Sequence, residues 1–243
     1  MIPRFFCPPP LASGDQIALP PAVAHHAVRV LRLEEGDAVI LFDGEGGEYP
    51  ARLTRVDGRA VLANVGERRG VERESPLSVT LVQGLAAADR MEFAIQKSVE
   101  LGVAAIVPVT TARSVVRLSA DRARRRVEHW QQVVVAACEQ CGRDRLPAIH
   151  PLCDLSEWLR APSTAAMRLL LSPDAPRALG QHNRPDGTIE LLVGPEGGLT
   201  ADESMAATTA GFHAVRLGPR ILRTETAAPA ALAAMNALWG DWR

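Results

Sequence analysis

Two short loops hold the residues whose types and spacing suit chemistry. The first is Leu192-Val193-Gly194-Pro195-Glu196-Gly197-Gly198-Leu199-Thr200, where an apolar run passes into a glycine-rich turn. Glycines at 194, 197 and 198 accept unusual dihedrals and let a ligand lie directly on the main chain. The second is Leu217-Gly218-Pro219-Arg220-Ile221-Leu222-Arg223-Thr224-Glu225-Thr226-Ala227, which again leaves an apolar run through Gly-Pro. It gathers two arginines and a glutamate ahead of an alanine-rich helical stretch. Arginines in such a place can hold a phosphate or polarise a base, and a glutamate can accept a proton. The other reading of this loop is a surface Arg–Glu pair of little consequence.

Neither loop carries a common nucleotide fingerprint. The GxGxxG spacing of dinucleotide folds and the GxxxxGK[ST] of phosphate loops are both missing, and no serine sits between the glycines to form a nucleophile elbow. Thr200 and Glu203 fit a capping box, so a helix is expected directly after the first loop. Thr226 is the expected N-cap of the last helix, 227–238, which would leave Pro229 in the first turn, where proline costs little.

The elements that must hold these loops follow from the pattern around them. From Leu77 onward, apolar strand runs at 77–82, 103–109, 167–171, 189–193 and 214–217 alternate with helical stretches. Near-continuous apolar strands between helices are what a parallel sheet covered on both faces requires. A glycine-rich turn at the carboxyl end of such a strand is where open α/β sheets place ligands. Asp89 is the expected cap of a helix to about 101, with Met91, Ile95 and Val99 on one face. A second, long helix is expected over 121–141, opening with Arg122, Arg124, Arg125 and Arg126.

Residues 1–72 read differently. A short helix over 22–31 precedes strands at 37–42, 48–56 and 60–65, with turns at 43–47 and at Asp57-Gly58. Short strands between glycine-rich turns suggest a small barrel. A polar stretch, 66–75, ends at Pro76 and reads as a linker. The expected organisation is therefore a β module at 1–72 and an α/β module at 73–243.

Composition adds limits. The 243 residues are 47% hydrophobic and 23% charged, which fits a globular protein, and the net charge of −1 argues neither for nor against nucleic acid. Lys97 is the only lysine among the 27 basic residues; arginine suits phosphates and base edges, and it also follows from a GC-rich genome. No stretch is apolar enough to span a bilayer, and the first residues lack a signal-peptide core, so the cytoplasm is the expected location. Cys138 and Cys141 have CxxC spacing inside a helical pattern with no second pair. Free thiols, with no metal, are the expectation.

The pair of loops resembles the S-adenosylmethionine signature of the SPOUT superfamily. More narrowly, the chain resembles the 16S rRNA uridine-N3 methyltransferase family, the RsmE family, over nearly its whole length. Arg29-Val30-Leu31-Arg32, Phe42-Asp43-Gly44 and Gly47-Glu48-Tyr49 are similar to that family's N-terminal module. Asp89-Arg90-Met91, residues 96–102, Thr111-Ala112-Arg113-Ser114-Val115 and residues 139–143 match further segments, with Ala112 a mild departure. The resemblance implies an N-terminal PUA-like RNA-binding barrel and a C-terminal domain with a trefoil knot. It also implies a homodimer, 16S rRNA of the small subunit as partner, and S-adenosylmethionine as methyl donor.

By the same resemblance, three loops hold the cofactor. They supply Leu171 and Ser172 with Pro173; Gly194, Pro195, Glu196, Gly197 and Gly198; and Leu217, Gly218, Leu222, Arg223, Thr224 and Ala227. Leu217 and Leu222 would be apolar walls. Arg220 or Arg223 would favour the anion developing on the base, and Glu225 would take the N3 proton. Arg4, Arg29 and Arg32 are the candidates for gripping RNA. Two readings compete: methylation at a ribose 2′-oxygen or guanine N1 of another RNA, and an RNA-binding protein without catalysis. A different nucleotide-dependent enzyme is disfavoured by the missing phosphate fingerprints.

Overall fold

The computed structural model describes residues 2–57, 60–114, 116 and 118–242. Gly58 of the expected turn and Val115 of the 111–115 segment lie outside them. The chain forms two compact units, Met1–Glu74 with Val135–Leu146, and Ser75–Val134 with Pro147–Arg243.

The first unit is built on a five-stranded sheet. Its strands are β1 (Arg4–Phe6), β2 (Gln16–Ala18), β3 (Ala38–Phe42), β4 (Tyr49–Asp57) and β5 (Ala60–Val65), in the order β1-β3-β4-β5-β2. β1 runs parallel to β3, and the other pairs are antiparallel. Alternate residues of these strands, among them Phe5, Val39, Leu41, Leu53, Val61 and Ala63, enter one core, as the two-residue period of a strand requires. Ala24 and Ala27 pack into it from the expected helix, which divides into α1 (Pro21–His25) and a π-helical turn, His26–Val30. The expected glycine turn is present, with Gly44, Gly46 and Gly47 all at positive φ.

Residues 135–146 complete this unit. The Glu139 carboxylate accepts the Phe6 amide at 2.9 Å, and Gly44 bridges to Arg145. The Cys138 thiol is buried, donates to the Arg145 carbonyl at 3.6 Å, and is pushed up to about 12 by its burial. It is an inert core thiol.

The second unit carries a sheet in the order β12-β10-β11-β6-β7-β8, with β9 also paired to β7. Its strands are β6 (Val79–Gly84), β7 (Ala105–Thr110), β8 (Ala148–Ile149), β9 (Cys153–Asp154), β10 (Met167–Leu171), β11 (Ile189–Val193) and β12 (His213–Val215). Every pairing is parallel. One face packs Val82, Val107, Leu170 and Leu192 with Leu155 of α4 (Leu155–Arg160) and Ala207 of α5 (Ala201–Thr209). The remaining helices are α2 (Ala88–Glu100), a 3-10 turn at Leu179–Gln181, α6 (Thr224–Trp239) and α3 (Ala120–Cys141), whose residues from Val135 onward belong to the first unit; α2 packs on α6. Met91, Ile95 and Val99 are fully buried, as their shared helical face predicts. No helix among the described residues is long and apolar enough to cross a membrane.

Two expected helix starts are corrected. α2 begins one residue before Asp89, with Ala87 at the N-cap and Asp89 in the first turn. The carboxylate that receives the Ala87 amide is Glu196, 109 residues away, so the cap is tertiary and invisible locally. α6 begins at Thr224 with Arg223 as N-cap, which places Pro229 inside the helix. Thr226 does not cap; its own amide donates to the Arg223 carbonyl at 2.9 Å.

Candidate active site

The strand order reverses at β10, with β11 on one side of it and β12 on the other. A parallel sheet opens a crevice at the carboxyl ends of its strands where the order reverses. The loops that follow β10, β11 and β12 meet there and enclose a cavity of about 720 Å³, within the range of small-molecule sites.

Close packing forms the loop after β11. A side chain on Gly84, at the end of β6, would put its Cβ 2.5 Å from the Pro195 nitrogen, so only glycine lets the two segments touch. Gly198 has φ +68 and donates to the Pro195 carbonyl at 2.9 Å, closing a tight turn. The predicted capping box is formed: Thr200 Oγ1 accepts the Glu203 amide, and Glu203 Oε2 accepts the Thr200 amide at 2.8 Å. Glu203 Oε1 also accepts the Ala112 amide at 2.7 Å, and Arg113 donates to the Gly197 carbonyl at 2.9 Å. The segment after β7 thus clamps the glycine loop from outside. From the other side, Glu196 Oε1 takes the Ala87 amide at 2.8 Å and the Arg90 guanidinium at 3.2 Å.

The loop after β12 supplies the charges. Arg216 donates to the Ala175 carbonyl at 2.6 Å and so ties this loop to the one after β10. Arg220 and Arg223 are exposed, Leu222 is half-buried, and all three line the cavity. Thr224 is buried, and its hydroxyl donates to the Gly194 carbonyl at 2.7 Å. Glu225, in the first turn of α6, has its Oε2 buried with no hydrogen-bond partner. Such an oxygen calls for a donor from a ligand.

Every residue expected to bind cofactor or to act in catalysis lines this one cavity. The Thr224 hydroxyl is committed to the protein itself, so its part is to hold the loop. Sequence reasoning missed Arg90, Asp174 and Arg216, which also line the cavity. Arg90 and Arg113 were visible only as parts of segments that resemble the family, and nothing local marks Asp174 or Arg216.

The three RNA candidates belong to the first unit. Arg29 and Arg32 are exposed, Arg32 with φ +55. Arg4 departs from the expectation of a solvent-facing grip. Its side chain is 10% exposed, bonds Glu48 at 2.6 Å and Asp144, and lies over the Phe42 ring. Burial raises the Glu48 carboxyl, but Arg4 and Arg73 outweigh it and hold Glu48 below its ordinary value. A guanidinium consumed by two buried carboxylates is structural. His25 and His26 are exposed on the helical stretch of this unit.

The fit of this cavity to a methyl donor rests on its walls. Glycine backbone on one side, Leu171, Val193, Leu217 and Leu222 as apolar surface, and the unpartnered Glu225 oxygen suit a ligand with a flat base and N–H or O–H donors.

Comparison with known proteins agrees with these walls. The RNA methyltransferase domain family matches residues 73–236, and the RNA methyltransferase PUA domain family matches 19–65. The ribosomal RNA small subunit methyltransferase E of Bacillus subtilis is 34% identical over 87% of this chain and 86% of its own length. Its Synechocystis counterpart is 37% identical over 91% of this chain and 73% of its own. A crystal structure of the Neisseria gonorrhoeae enzyme of the same name, bound to S-adenosyl methionine, superposes with a TM-score of 0.93. It is 43% identical and covers both chains fully.

Proposed function

Since this chain belongs to the RNA methyltransferase family, we infer that it is an S-adenosylmethionine-dependent enzyme acting on small-subunit ribosomal RNA, and that its target atom is N3 of a uridine. The observation that carries this reading is the meeting of the residue 194–198 backbone with Arg220, Arg223 and Glu225 at a single cavity.

When bound, the donor supplies an activated methyl on a sulfonium. Residues 171–172, 194–198 and 217–222 hold it, with Leu217 and Leu222 as apolar walls. N3 of a neutral uridine carries a proton, which must leave as the N3–carbon bond forms. Glu225 accepts that proton, directly or through a water, because its buried oxygen has no other donor. The guanidinium groups of Arg220 and Arg223 have no ion pair or hydrogen bond with the protein among the described residues, so each is available to the negative charge that spreads onto the uracil oxygens. Arg29 and Arg32 remain the contacts to RNA in the first unit. The trefoil knot, the homodimer and the cytoplasmic location implied by the family resemblance belong to the same proposal; mass in solution tests the dimer.

The deciding experiment is methyl transfer from labelled S-adenosylmethionine to isolated small ribosomal subunits, with the product nucleoside identified by mass spectrometry. Label in 3-methyluridine is expected. A 2′-O-methyl nucleoside or 1-methylguanosine would replace the uridine assignment. Failure to bind the donor would remove the enzymatic reading.

A further inference from the structure

A three-residue relay reaches the cavity wall, at Gly194 and Thr224, from Gln83, which does not line the cavity. Gln83 is the penultimate residue of β6 and is 1% exposed. Its Nε2 donates to the Gly84 carbonyl at 3.1 Å and to Thr224 Oγ1 at 3.0 Å. Thr224 spends its only hydroxyl proton on the Gly194 carbonyl, so toward Gln83 it can only accept. That requirement fixes the amide: Nε2 faces Thr224, and Oε1 is left buried with no partner.

A buried amide oxygen without a donor costs stability that an apolar side chain of the same length would not. The cost is concentrated at the one place where β6, the loop after β11 and the start of α6 converge. Gly84, the next residue, is also where Pro195 lies against the β6 backbone. Both cofactor-side loops are therefore referenced to the end of the same strand, one by backbone contact and one by a side chain.

We propose that Gln83 is a positioning residue for methyl transfer: through Thr224 it sets the Gly194 loop and the Arg223–Glu225 turn in register with each other. It touches neither ligand and acts only through that hydroxyl. The inference rests on the methyltransferase reading of the cavity.

Gln83→Met keeps the length and removes the amide. In the ligand-free full chain, amide hydrogen exchange at residues 194–198 and 223–227 should quicken. The dissociation constant for S-adenosylmethionine, measured by calorimetry, should rise by about tenfold, the scale of one lost buried hydrogen bond. The unfolding temperature should stay level or rise, because the unpaired oxygen leaves with the amide. A merely structural residue would do the reverse, losing affinity only in step with stability, and that outcome overturns the proposal. Unchanged exchange and unchanged affinity overturn it as well.

Thr224→Val should reproduce the fast exchange and Thr224→Ser, which keeps the hydroxyl, the slow exchange of the unaltered protein; this keeps the test open should Gln83→Met fail to fold. The double variant Gln83→Met/Thr224→Val should bind no worse than the weaker single variant, as coupled partners do. Wild-type protein that fails to bind the donor sinks the functional reading alone, since exchange in the ligand-free chain still decides the relay.

Discussion

Arg220 lines the cavity, is exposed, and makes no ion pair or hydrogen bond among the described residues, whereas Arg90, Arg113 and Arg216 are engaged by Glu196 or by carbonyls. The engaged arginines shape the loops, and the unengaged ones are left for substrate. Arg220→Ala should therefore lower kcat on the order of 10²-fold, the scale seen when a donor to developing negative charge is removed. Affinity for S-adenosylmethionine should hardly change. Parallel calorimetry and single-turnover assays check this, and near-normal turnover in a folded variant would reassign the role to Arg223. Glu225 differs from Glu196 in the same way: the Oε2 of each is buried without a partner, but Glu196 is anchored by Ala87 and Arg90 on its other oxygen, whereas the Glu225 carboxylate has no hydrogen bond or ion pair among the described residues.

At the level of elements, helix starts decide where the loops lie, and they are stabilised in three ways. α5 uses its own sequence, through Thr200 and Glu203. α2 borrows Glu196 from a distant loop. α4 uses Asp154, whose side chain accepts the Ser156 amide at 2.8 Å. The hydrogen bonds to Ser156 hold the Asp154 carboxyl below its ordinary 3.8. A depressed carboxylate contributes stability that is complete above the unfolded-state value and is lost as pH falls through the folded one. Asp154→Ala should cost about 1 kcal/mol at neutral pH. Urea titrations should show the same gap at pH 7 and 5, and a narrower gap near about pH 3.5. A gap that widens on acidification would contradict the assignment.

For the whole molecule, the division of the chain matters more than its length. Residues 135–146 lie past the middle of the sequence yet belong with the N-terminal strands. Arg143 donates to Glu74 at 2.9 Å through Nε, and Asp144 pairs with Arg4 and Arg73. A fragment of residues 75–243 keeps the sheet and the cavity but strips those partners from 135–146. It should be cut by protease within that stretch, where the full chain resists, and should unfold at a lower temperature. Mapping of the cleavage sites by mass spectrometry is the check; a fragment resistant across 135–146 would show that the segment needs no N-terminal partner.

Much of this protein is legible in one dimension. The parallel strands, the buried face of α2, the capping box at Thr200 and the two Gly-Pro loops follow from periodicity and from residues whose conformational demands are local. The resemblance to a known family then placed Leu171, the 194–198 glycine loop and Arg220 to Glu225 in one site. Local rules failed at Asp89 because the carboxylate at the start of α2, Glu196, comes from a distant loop, and at Thr226 because α6 starts two residues before it, where Thr224 is held on the Gly194 carbonyl. They failed at Arg4 for the same reason, since an arginine in a strand gives no sign that Glu48 and Asp144 will bury it. Gln83 and Arg216 carried no sequence signal, and Arg90 only its place in a segment that resembles the family. Their significance comes from which strand ends lie side by side, and chain order alone does not specify that. Sequence determined which segments can form loops and caps; tertiary structure decided which polar groups those segments satisfy, because a buried donor or acceptor takes the partner that folding brings to it.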